Sequence, residues 1–75
     1  MRVDLPADAM QVDNTGFVWT FLDEAQDPAS IVVDAVIIAG DEDAPFLSRV
    51  VDIVPGASGR SIVHLEVVGV PETGY

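Results

Sequence analysis

The chain has 75 residues, with thirteen Asp and Glu against three Arg and no Lys, a net charge of −10 at pH 7 and a 49% hydrophobic composition. Such a length allows one small domain that buries roughly 60% of its unfolded surface, and the absence of cysteine excludes a disulfide framework, a thiolate zinc cluster and a thiol nucleophile. The charge argues against direct binding to nucleic acid or to an anionic membrane, since both need clustered cations to displace counterions.

The first nine residues set Val3 and Leu5 among Asp4, Pro6 and Asp8, and proline cannot donate a ladder hydrogen bond inside a central strand. They read as an edge strand or an extended lead-in. The early acids interrupt any apolar signal region, and no stretch approaches the ~18 apolar residues of a membrane span. A cytoplasmic location is therefore expected. Met10, Gln11 and Val12 alternate in character and run into Asp13-Asn14-Thr15-Gly16, a turn in which Asn tolerates and Gly supplies a positive φ. Residues 17–22 form the clearest strand, aromatic and β-branched, with Phe17, Trp19 and Phe21 on one face and Val18, Thr20 and Leu22 on the other. The burial preference of large aromatics assigns the first of these faces to the core, with Trp19 as its anchor.

Residues 23–30 are polar and contain Pro28, so a loop with one short helical turn is expected. Residues 31–39 are apolar apart from Asp34, and two strand segments pivoting at that charge avoid placing it in mid-strand. Gly40-Asp41-Glu42-Asp43-Ala44-Pro45 has the composition of an exposed turn. In residues 46–54 a helical and an extended template fit about equally well. The β-branched residues of 50–54 favour the strand, because they lose χ1 freedom in a helix. That strand sets Leu47, Val51 and Ile53 on one face against Ser48, Val50, Asp52 and Val54 on the other. A glycine-bearing turn at 55–60 leads into a strand over 62–68, with Val63, Leu65 and Val67 alternating against His64 and Glu66. Residues 1–69 thus form one domain and 70–75 a tail.

The turns mark out an all-β fold, a small five-stranded antiparallel barrel whose closure would remove exposed strand edges. The segments Ile37-Ile38-Ala39-Gly40-Asp41, Arg49-Val50-Val51-Asp52-Ile53 and Ile62-Val63-His64-Leu65 resemble the last strands of small β-barrels of the Src-homology-three-like type. That resemblance implies a binding or assembly module without catalysis of its own. Members that bind proline-rich peptides present clustered surface aromatics, whereas the aromatic face of residues 17–21 is here assigned to the core.

Each candidate site has a structural reading beside the chemical one. His64 and Glu66 share a strand face and could serve as a general acid and base, yet no nucleophile elbow surrounds any serine or threonine. Ordinary exposed strand residues are the better reading, and no enzyme activity or cofactor is expected. Asp41, Glu42 and Asp43 lack the glycine and terminal glutamate of a helix-loop-helix calcium site, so a solvated loop without a bound metal is expected. Arg49 and Arg60 should each pair with carboxylates.

The leading expectation is a non-enzymatic module whose Asp41, Glu42, Asp43, His64 and Glu66 dock onto a protein partner with a basic surface. A nucleic-acid mimic filling a basic cleft is the first alternative, and a domain acidic only for solubility, as in a salt-adapted or GC-rich genome, is the second. A homodimer paired through an edge strand is also compatible with the sequence.

Overall fold

The structure is a computed structural model that describes residues 3–69. Strands β1 (Leu5–Pro6), β2 (Val18–Phe21), β3 (Val36–Gly40), β4 (Pro45–Pro55) and β5 (Ser61–Gly69) form one sheet in the order β1-β3-β4-β5-β2. The ambiguous stretch 46–54 is strand, and β4 with β5 forms the expected hairpin. The sheet curls strongly into an open half-barrel, which corrects the expected closed antiparallel barrel in two respects. It is mixed, because β1 runs parallel to β3 while the other three pairings are antiparallel. A parallel pair needs a long crossover, and β2 with the segment that follows it provides one.

The second correction is that the barrel stays open. β1 contributes only two residues, one of them Pro6, which has no N–H with which to extend a ladder. A side chain spans the seam instead: the buried Thr20 hydroxyl on β2 donates to the Pro6 carbonyl at 3.0 Å. Ahead of β2, Trp19 N–H donates to the Gln11 carbonyl at 3.0 Å, and Gln11 Nε2 donates to the Trp19 carbonyl at 3.1 Å. The outer edge of β2 is thereby partly covered.

Between β2 and β3 the chain makes two 3₁₀ turns, Leu22–Glu24 and Pro28–Ser30, where one helical turn was expected. Ala25 and Ile31, from the ends of these turns, are buried against the sheet. Of the two strand segments expected over residues 31–39, only Val36–Gly40 is a strand. Asp34 does act as a pivot, but with φ 74° it leaves the extended region altogether, and its N–H donates to the Val50 carbonyl. The predicted tail, 70–75, lies outside the described residues.

The concave side of the sheet is the core, built from Leu5, Val18, Ala39, Val50, Val63 and Leu65. Phe46 enters it beside Gly40, whose φ is 99° and whose missing Cβ would stand 2.9 Å from the Phe46 ring and 2.6 Å from the Ala44 carbonyl oxygen. Two hydroxyls face this interior. Thr20, 6% exposed, is satisfied by Pro6; Ser48, fully buried, finds no partner for its hydroxyl among the described residues.

The two hydroxyls predict opposite effects. Thr20→Val removes the seam hydrogen bond and should lower unfolding free energy by about 1 kcal/mol, whereas Ser48→Ala removes an orphan hydroxyl and should raise it by up to about 1 kcal/mol. Urea denaturation followed by far-ultraviolet dichroism measures both, and equal losses for the two variants would contradict this assignment of partners.

Candidate functional site

Outward-facing residues of β2 alternate with the core residues Val18 and Thr20, and they are Trp19 and Phe21. The sequence placed these rings inside; the structure sets them, partly exposed, on the outer face of the sheet. Val18, Thr20, Val63, Leu65 and Val50 fill the concave side, so in β2 and β5 the aliphatic and small residues take the interior. Trp19 and Phe21 meet edge to face, with ring centroids 5.6 Å apart.

Trp19 lies directly opposite His64 on β5. Its backbone N–H and carbonyl are bonded to Gln11 on the other side, so Trp19 and His64 form a non-hydrogen-bonded pair, the kind that brings cross-strand side chains closest. On its other flank His64 faces Asp52 of β4, and a bulge creates that pairing. Val50 pairs with Leu65 and Asp52 with His64, leaving Val51 as an extra residue in β4. In an unbroken ladder Val51 would oppose His64, and Asp52 would follow Val50 onto the core side. The bulge turns Asp52 outward and returns Ile53 to the core opposite the buried Val63.

Both imidazole nitrogens of His64 are engaged by carboxylates. Nδ1 lies 2.6 Å from Asp52 Oδ1 and Nε2 lies 2.6 Å from Asp13 Oδ2, the second carboxylate coming from the turn that precedes β2. Asp13 in turn accepts the N–H and the hydroxyl of Thr15 on its Oδ1. A ring flanked in this way is best satisfied as imidazolium, which donates from both nitrogens, whereas the neutral ring has only one N–H. Desolvation of the ring opposes that charge, but the hydrogen bonds and charges of Asp52 and Asp13 outweigh it and raise the His64 pKa above the ordinary imidazole value. The Thr15 hydroxyl is the leading cause that lowers the Asp13 pKa; partial burial opposes it, and the Thr15 N–H and His64 add to it.

This geometry is a clamp that ties the 13–16 turn to the β4–β5 hairpin. Proton abstraction by His64 would first require one aspartate to leave. The two carboxylates sit on opposite ring nitrogens and cannot converge on one ion, and no group of three His, Asp or Glu among the described residues is placed to hold a metal. Beside the clamp is an open hollow of about 370 Å³ lined by Asp13, Trp19, Ile62 and His64.

The other residues named from the sequence lie elsewhere. Glu66 shares the outer face of β5 with His64 but accepts from Arg49 Nε at 3.2 Å, and it does not line the hollow. Asp41, Glu42 and Asp43 form the exposed β3–β4 turn, at the opposite end of β4 from Asp52. Asp41 Oδ1 accepts the N–H groups of Asp43 and Ala44 at 2.8 and 2.7 Å, an Asx turn that closes the loop. Sequence reasoning missed Asp13 and Asp52 as partners of His64. One signal was available: an uninterrupted strand put Asp52 on the same side as Val50. Arg49 also bonds Asp34 at 2.9 Å, and Arg60 donates to both oxygens of Asp23 at 2.8 and 2.6 Å, as their rarity suggested.

No helix among the described residues is long and apolar enough to cross a membrane. Comparison with protein families, characterised proteins and solved structures finds no match.

The clamp has a pH dependence of definite sign. The His64 pKa is raised on folding, so its contribution to stability is complete below about pH 6.5 and is lost as pH rises through the folded value. The Asp13 pKa is lowered, so its contribution is present above about pH 3.9 and is lost as pH falls through the folded value. Nuclear magnetic resonance titration should place His64 above about 6.5, and Asp52→Asn should lower it. Urea midpoints should fall between about pH 6 and about pH 9, with a smaller fall in His64→Gln. An unshifted imidazole would refute the clamp.

Proposed function

We propose that this chain is a non-catalytic protein-interaction module that docks onto a basic partner surface through the outer face of β2 and β5. The observation that carries this reading is the outward placement of Trp19 and Phe21. Aromatic side chains anchor protein interfaces because they bury much area at low entropic cost. A domain acidic only for solubility would gain nothing from setting both rings, partly exposed, on its outer face.

Charge supports the class of partner. Asp13 and Asp52 lie beside Trp19 through His64, and Asp23 and Glu24 lie beside Phe21 through Arg60. A rim of this sign attracts a cationic surface and speeds encounter, while the rings and Ile62 hold what has docked. The same sign disfavours nucleic acid and anionic lipid as partners. The resemblance of residues 17–68 to Src-homology-three-like barrels agrees with a binding role and carries less weight than the aromatic face. The mimic reading draws no comparable support, since a mimic needs its acids on one surface and here the 41–43 turn sits far along β4 from Asp52.

The test uses the immobilised full chain against native lysate at low and high salt, with two variants shown to fold by their amide spectra. A basic partner should be retained at low salt, released at high salt, lost with Trp19→Ala and kept when Asp41, Glu42 and Asp43 are all changed to amides. Retention by Trp19→Ala, or loss with the amide variant, would move the docking face elsewhere. A solution mass of two chains that falls to one with Trp19→Ala would make the occupant a second copy and overturn the reading.

A further inference from the structure

We infer that the hollow between Trp19, Ile62 and Asp13 receives an arginine side chain of the partner. The inference rests on the docking reading above and names the chemistry of the group that docks. Its basis is an arrangement that the chain already displays on the same face. Two residues along β2, the Arg60 guanidinium lies 3.8 Å from the Phe21 ring centroid and donates two hydrogen bonds to the Asp23 carboxylate. Ring, guanidinium and carboxylate form a filled three-part unit.

Trp19 is the neighbouring ring, in edge contact with Phe21 and on the same outward side. Beside it stands a carboxylate, Asp13, and between them lies the open hollow of about 370 Å³, with Ile62 as its aliphatic wall and the His64 ring as its fourth side. Two of the three parts are present. The described arginines are both committed, Arg60 to Phe21, Asp23 and Glu24, and Arg49 to Asp34 and Glu66. Neither supplies the third part from within the described residues.

The local charge permits it. Asp13 Oδ1 is occupied by the two Thr15 donors, while Oδ2 accepts from His64 alone and keeps one of its two lone-pair sites. Even with His64 charged, the group of Asp13, His64 and Asp52 carries one net negative charge, and Asp52 is half exposed. Arginine fits better than lysine for physical reasons. Its planar group stacks on an indole, is weakly hydrated and can donate to a carboxylate while stacked, whereas an ammonium is compact and strongly hydrated.

The experiment titrates the isotope-labelled full chain with three glycine-spaced peptides that differ only in carrying arginine, lysine or citrulline. The arginine peptide should shift the Trp19 indole N–H and the His64 ring signals and should bind about tenfold tighter than the lysine peptide. The citrulline peptide, which lacks the charge, should leave them unmoved. Trp19→Phe should keep the preference for arginine and Trp19→Ala should abolish it. Equal binding of the arginine and lysine peptides at Trp19 would overturn the arginine assignment while leaving the docking face intact. Shifts centred on Asp41, Glu42 and Asp43 for both peptides would overturn the two together. A preference for arginine that survives in Trp19→Ala would show that the hollow is not the receptor.

Discussion

The extra residue at Val51 is the constraint on which the outer face depends. From Ser48 to Val50 the strand alternates in step with β5, and continuing that step would drive the carboxylate of Asp52 into a core of valine and leucine. Burying an unpaired carboxylate costs far more than losing one ladder hydrogen bond, so the register slips by one residue. The slip delivers Asp52 to the outer face directly opposite His64. It also returns Ile53 to the interior against Val63. One backbone irregularity thus satisfies the core and assembles half of the clamp, and Asp13 completes it from the turn before β2.

The half-barrel makes the aromatic face intelligible. Its inward positions are Val, Leu, Ile, Ala and Phe46, with Thr20 and Ser48 admitted as small polar residues. With the interior committed to these side chains, Trp19 and Phe21 stand on the convex side. There they gain from one another, from Ile62 and from the Arg60 guanidinium what they forgo by not entering the core. Thr20 shows the same economy at the seam, where a short hydroxyl joins two edges that Pro6 prevents from forming a ladder.

Much of this was legible in the residues. Alternation located β2, β4 and β5, and β-branched density at 50–54 correctly decided strand over helix. The turn chemistry at Asp13-Asn14-Thr15-Gly16 was also readable, and Gly16 does take a positive φ. What failed was the choice of face. A general burial preference sent Trp19 inward, whereas the competing pattern, Val18 and Thr20 in step with Val63 and Leu65 across the pair, was the informative one. The parallel β1–β3 pairing rests on two residues and a long crossover, which no local periodicity can report. The clamp joins positions 13, 52 and 64, so only the fold could reveal it. Its one local trace was the conflict that an unbulged strand created at Asp52.

A shortage of cations explains how the remaining charge is arranged. Each described cation joins two carboxylates: Arg49 takes Asp34 and Glu66, Arg60 takes Asp23 and Glu24, and His64 takes Asp13 and Asp52. In every case the cation reaches a different part of the chain, so attraction is placed where it ties elements together and repulsion is left in the loops. Exposed pairs of this kind add little stability singly. Their greater effect is on the field, because a cation shared between two carboxylates leaves a residual negative charge at each node. Two of the three nodes adjoin Trp19 or Phe21. Residual negative charge therefore stands at two points next to the aromatic surface, apart from the carboxylates of the 41–43 turn, and a cationic group arriving there meets both the charge and the ring.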